Sequence, residues 1–96
     1  MLRLLSIFML LMSMGLTACA GAPVQEMSNA RQAIKAARDA GASKAAPDKL
    51  TEAEALLDRA EESLQKGDYR EARRDAIAAR SKASQALNAV QPPGRN

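Results

Sequence analysis

Apolar residues along this chain follow two unlike patterns. Over residues 4–16 they run nearly unbroken, interrupted only by Ser6, Ser13 and Gly15. Beyond residue 23 apolar and small residues recur three and four apart between charged ones, the period of a helix that buries one stripe. Met27, Ala30, Ile34, Ala37 and Gly41 make the first stripe. Leu50, Ala53, Leu57, Ala60 and Leu64 make the second, widened by Leu56, and Tyr69, Ala72, Ala76, Ala79, Ala83, Ala86 and Val90 the third. The spacing predicts helices over about residues 23–41, 47–66 and 69–90, a helical domain of residues 23–90.

Breaker residues fall between these stripes. Pro23 can open the first helix, because its missing N–H is not needed in the first turn. Gly41-Ala42-Ser43 should end it, and Pro47 restarts the chain. Gly67 stands where a left-handed cap belongs, and Asp68 with Glu71 three positions on has the form of a capping box. Gln91-Pro92-Pro93-Gly94-Arg95-Asn96 cannot continue a helix, so residues 91–96 are expected to be a flexible tail. Three segments in one phase predict an all-α fold, either a small three-helix bundle or a helical hairpin, with left-handed, coiled-coil-like packing. The turn Lys66-Gly67-Asp68 is short enough to force the second and third helices antiparallel.

The first pattern has a different meaning. Thirteen residues of helix reach roughly 20 Å, short of a ~30 Å hydrocarbon core, and Arg3 precedes them. A run of this length behind a cation reads as a signal peptide, residues 1–18. It ends in Leu16-Thr17-Ala18-Cys19, which resembles the bacterial lipobox. Small residues before the cut let the extended chain enter the peptidase, and the Cys19 thiol forms the thioether to diacylglycerol. Each buried acyl methylene contributes about 0.8 kcal/mol, so two or three chains, palmitate among them, hold firmly. The cut then falls between Ala18 and Cys19; the plainer alternative is an ordinary signal peptide in which Cys19 is incidental, and a sole cysteine at the end of the apolar run favours the lipobox. Residues 19–22 are then the lipidated cysteine and a tether. The resemblance implies more: an aspartate after the cysteine retains such proteins in the inner membrane, and Ala20 here implies the periplasmic face of the outer membrane. In a host without an outer membrane, the site becomes the outer face of the plasma membrane.

Composition narrows the chemistry. Removing the leader leaves 78 of 96 residues, near the lower limit for a self-sufficient core. Phe8 leaves with it, so Tyr69 is the one aromatic that stays. The third stripe is mostly alanine, which lets backbones approach but buries little area at roughly 25 cal/mol per Å². Strong helix propensity with marginal tertiary stability is expected, and a core this thin favours a protein partner or self-association. With no histidine and one cysteine, an internal disulfide and a metal site built on His or paired Cys are excluded. No cofactor and no catalytic residue is expected: Ser28, Ser43, Ser63, Ser81 and Ser84 lack a base, and the chain has little volume for a cleft.

The formal charge is +3, with signs interspersed and Arg3 in the leader. That balance, and export, argue against nucleic acid. Glu52, Glu54, Asp58, Glu61 and Glu62 on the second helix should face Arg70, Arg73, Arg74, Arg80 and Lys82 on the third and steer the hairpin, each exposed pair contributing about 0–1 kcal/mol. Arg70, Arg73 and Arg74 are also a candidate anion site for a lipid headgroup, an envelope polymer or an acidic partner. Glu71 and Asp75 interleave with them, which equally describes a solvated face.

Residues 53–79 resemble a degenerate tetratricopeptide unit, through Gly67-Asp68-Tyr69, Ala72, Leu56 and Ala60. One unit alone is present, where arrays need about three. A wider resemblance runs through Pro23-Val24-Gln25-Glu26-Met27-Ser28-Asn29-Ala30-Arg31-Gln32-Ala33-Ile34, Gly41-Ala42, Ala46-Pro47, Leu50, Glu52-Ala53-Glu54-Ala55-Leu56-Leu57, Gly67-Asp68-Tyr69 and Ala72. It is similar to small alanine-rich proteobacterial lipoproteins that carry the domain of unknown function 4398. The resemblance implies a helical fold in the cell envelope and no catalytic residue. Some relatives add an OmpA-like peptidoglycan-binding domain, which is not among these residues, so wall binding is not carried over. The expected role is a membrane-tethered helical module that docks a partner through its alanine-rich or Tyr69-bearing face.

Overall fold

The computed structural model describes the backbone of residues 1–17 and 21–90, and the side chains of residues 1–9 and 21–90. Ala18, Cys19, Ala20 and the expected tail at 91–96 lie outside the described residues. The chain forms α1 (Leu2–Thr17), α2 (Val24–Asp39), α3 (Ala42–Ala45), α4 (Pro47–Gln65) and α5 (Tyr69–Val90), with no strand among the described residues. The fold is all-α, and its packed part is a bundle of the three long helices α2, α4 and α5 with α3 at one end.

α1 stands apart. It packs against no other helix among the described residues, and Leu2, Leu4, Leu5, Ile7, Phe8 and Met9 are all exposed. No helix among the described residues is long and apolar enough to cross a membrane.

In the bundle, small residues set the geometry. Ala72, Ala76, Ala79, Ala83 and Ala86 of α5 are fully buried, as are Ala30 and Ala37 of α2 and Ala53 and Ala60 of α4. With no side chain beyond Cβ to hold the axes apart, α5 lies along both α4 and α2, whereas α2 and α4 meet along a narrower line. Larger side chains fill the space the alanines leave. Ile34 and Leu50 join Ala37, Ala42, Ala53, Ala83 and Ala86 in one cluster, and Met27, Ala60 and Ala76 form a second; Leu57 packs against both. Met27, Ile34 and Leu50 are the buried large aliphatics of the bundle, while Val24 and Ile77 stay exposed. The alanine-rich stripe expected to offer itself to a partner is thus closed within the chain, because α2 and α4 both cover it.

Both turns rest on a left-handed glycine, at φ 97° for Gly41 and 80° for Gly67, a conformation that costs glycine no Cβ clash. After α4 the Gly67 N–H reaches the Leu64 carbonyl at 3.0 Å and the Asp68 N–H reaches Ser63 at 2.9 Å, the paired bonds of a Schellman motif. This commitment of the Asp68 N–H leaves the expected capping box half made. The Asp68 carboxylate accepts from the Glu71 N–H at 3.5 Å, while the Glu71 carboxylate turns to Arg74. At Gly41 the structure also departs from expectation. Ala42 and Ser43 do not lie in an open loop; they start the single-turn α3, and Ala42 is fully buried in the core.

Charges between the helices take a different arrangement from the expected one. Glu61 and Glu54 of α4 pair with Arg31 and Arg38 of α2, at 3.1 and 2.8 Å. Each pair of partners lies one heptad apart and in opposite chain order, so α2 and α4 are antiparallel. On the other seam Glu52 reaches Lys82 at 3.4 Å and Arg59 approaches Asp75 at 3.8 Å, again a heptad apart and antiparallel. Glu52 is therefore the one acid of α4 that pairs with a base of α5 among the described residues. α5 presents alanine to the bundle interior, and two of its arginines are engaged elsewhere, Arg73 with Glu26 of α2 and Arg74 with Glu71 of α5 itself.

Candidate functional site

The tether enters the bundle at the end formed by the start of α2, the turn after α4 and the start of α5. Pro23 is fully buried, and the Val24 N–H folds back to the Ala22 carbonyl at 2.9 Å. The Met27 N–H continues the turn to Pro23 at 3.0 Å. Gly21 is beside the Tyr69 ring; a Cβ placed there would sit 3.5 Å from the ring edge. Arg73 donates from Nη2 to the Gly21 carbonyl at 3.4 Å, and its Nε lies 3.4 Å from the Glu26 carboxylate of α2. Tyr69 and Arg73 together hold the chain at Gly21, two residues from Cys19.

The three candidate arginines therefore have three separate situations. Arg73 is half-buried and holds the tether and Glu26. Arg74 bonds Glu71 one turn away at 2.6 Å. Arg70 is exposed and makes no ion pair among the described residues. Tyr69 is 42% exposed, with its Cδ2–Cε2 edge beside Gly21. Val24, 70% exposed, lies at the same end.

A concave feature lies between α2 and α4, where the two helices meet only narrowly. It is an open groove of about 340 Å³ lined by Arg31, Ile34, Arg38, Glu54, Leu57 and Asp58. Its rim carries the ion pairs Arg31–Glu61 and Arg38–Glu54, so opposite charges alternate along it. Among the described residues no three acidic, Cys or His side chains are placed to hold a metal ion.

Two features escaped the sequence reading. Asp75, expected on the solvated face with Glu71, is 5% exposed and packed beside Ala76 in the α4–α5 seam. The burial follows from its place one turn before Ala79 and three after Ala72, on the flank of the alanine stripe. The clasp on Gly21 left no periodic signal, since it joins residues 52 positions apart. By contrast the α2–α4 pairs could have been found, because Arg31 and Arg38 repeat at the same heptad step as Glu54 and Glu61.

Fold and site together define an alanine-seamed up-down-up bundle of three helices whose N-terminal tether is held at one end. The chain belongs to the family described as domain of unknown function 4398, whose model matches residues 25–91, the packed bundle but for Val24 at the start of α2. No curated protein and no solved structure matches the chain.

Proposed function

We propose that the chain is an exported bacterial lipoprotein, anchored through acylated Cys19 at the periplasmic face of the outer membrane. Its bundle then serves as a small structural or protein-interaction module of the cell envelope. The observation that carries this reading is Leu16-Thr17-Ala18-Cys19 at the end of a short apolar helix, with Ala20 following the cysteine. Two further observations support it. α1 contributes nothing to the core, so a cut before Cys19 would leave the bundle whole. The membrane attachment would also enter through a tether that is already packed on the bundle rather than through a helix of it.

In this reading the chain works by contact and performs no reaction, with no cofactor and no nucleic acid. The alanine stripe is filled, so a partner meets the outer surface, of which the charged α2–α4 groove is a concave part. Binding of an anionic polymer through Arg70, Arg73 and Arg74 is the weaker reading, because Arg73 and Arg74 already hold carboxylates and Arg70 alone is left. Growth of the expressing bacterium with labelled palmitate tests the anchor. The wild-type chain should take up label and fractionate with outer membranes, and Cys19→Ala should take up none and keep its leader. Label in the Cys19→Ala chain, or an unlabelled wild type, would refute the proposal.

A further inference from the structure

The clasp on Gly21 fixes how the bundle stands on its membrane. Between Cys19 and Gly21 the chain can span at most roughly 7 Å, at ~3.6 Å per residue. Gly21 itself is held by the Tyr69 ring and the Arg73 guanidinium. Whatever surface receives the acyl chains of Cys19 must therefore lie close to this end of the bundle and not at the far end of its long helices. Among the described residues of the bundle, three large apolar side chains are exposed: Val24, Tyr69 and Ile77. Val24 and Tyr69 both lie at the clasped end. A tyrosine with an apolar ring and a polar tip suits the headgroup level of a bilayer, and Arg70, which has no carboxylate partner among the described residues, adjoins it where lipid phosphates would be.

We infer that the Val24–Tyr69 end of the bundle rests in the headgroup layer of the phospholipid bilayer, with the long helices rising from the membrane and the far end of α5 held away from it. The inference rests on the acylation of Cys19 and adds an orientation to it. Because Arg73 and Arg74 are neutralised by Glu26 and Glu71, the contact needs no anionic lipid: the tether supplies proximity and the two apolar side chains the contact. The partner is a lipid surface of ordinary zwitterionic composition.

The test uses the full chain, exported and purified from the bacterium with its lipid, then reconstituted into phosphatidylethanolamine–phosphatidylcholine vesicles that carry brominated acyl chains. The chain has no tryptophan, so each variant reports from one place. Tyr69→Trp and, as an independent probe on an exposed site, Val24→Trp should lose most of their emission to the bromines. Asn88→Trp, roughly 28 Å along α5 from Tyr69 at 1.5 Å per residue, should lose none. Mass spectrometry and vesicle flotation are run on the same samples. An unacylated chain that fails to float overturns the anchor and the orientation with it. An acylated, floating chain in which Tyr69→Trp and Val24→Trp stay bright, or in which Asn88→Trp is quenched as strongly, overturns the orientation alone.

Discussion

The two seams of the bundle solve the same packing problem with opposite materials. Along α5 the contact is made by Ala72, Ala76, Ala79, Ala83 and Ala86, all fully buried, with the single carboxylate of Asp75 among them. Between α2 and α4 the contact uses larger side chains, Met27, Ile34 and Leu57, and its outer edge is laced by two exposed ion pairs beside an open groove. Small residues bring axes close and gain from many short backbone contacts, each burying little. Large residues span a wider gap and concentrate the burial in a few positions. A substitution should therefore be felt in opposite ways: the α2–α4 side suffers from loss of volume, and the α5 side from its addition.

Ile34→Ala is the strongest test of the first half. Ile34 is 4% exposed in the larger cluster, and truncating a buried isoleucine of this kind costs about 3 kcal/mol. In a domain this small such a loss should lower the urea midpoint sharply or unfold the chain, as read by circular dichroism of the chain lacking residues 1–19. A shift no larger than that of a surface change would mean that the alanine seam alone holds the bundle together.

Addition of volume should come next. Ala76 is fully buried against Met27 and Ala60, and Ala76→Leu forces side chains into a seam with no room for them, at a cost of about 2 kcal/mol. Its neighbour Ile77 is 55% exposed, so Ile77→Ala should change stability by less than about 0.5 kcal/mol. The contrast between adjacent positions is the measurement, taken by thermal unfolding of both variants. Equal effects would show that α5 is not packed as closely as its alanines imply.

The heptad made the buried faces legible from the sequence. Met27, Ala30, Ile34 and Ala37, then Leu50, Ala53 and Ala60, then Ala72 to Ala86 in steps of three and four, are stripe positions that the structure buries. Leu57, Leu64 and Val90 are half-buried, Gly41 and Tyr69 stay exposed, and Ala42 and Asp75 are buried outside the stripes. Periodicity works here because each helix buries one stripe, and the stripe's direction follows from its spacing. What a stripe does not carry is which helix faces which. The acids of α4 were expected to face the bases of α5, since these two helices are neighbours in the chain; Glu54 and Glu61 instead reach across to α2. The clasp of Tyr69 and Arg73 on Gly21 was hidden for the same reason, as it depends on the parallel placement of α2 beside α5. Helix formation is local, and helix pairing is not.

Asp75 separates the two seams most finely. Its carboxylate is 7% exposed, yet its partner is the Nε of Arg59 at 3.8 Å, on a side chain 61% exposed. A pair so long and so unequally buried attracts weakly, while the carboxylate has given up much of its water. Removing the acid should thus relieve as much as it forfeits, and alanine also has the better helix propensity. Asp75→Ala is expected to leave stability unchanged or raise it by up to about 1 kcal/mol, in keeping with a seam that already runs on alanine. Arg59→Ala should do the reverse, lowering stability by about 0.5 kcal/mol, a small figure because water screens the exposed guanidinium. Urea titration of both variants reads the two signs. A loss above about 1 kcal/mol in Asp75→Ala would mean that the buried charge fixes the register of α4 on α5, a task that uniform alanines cannot perform because each one fits its neighbour's place.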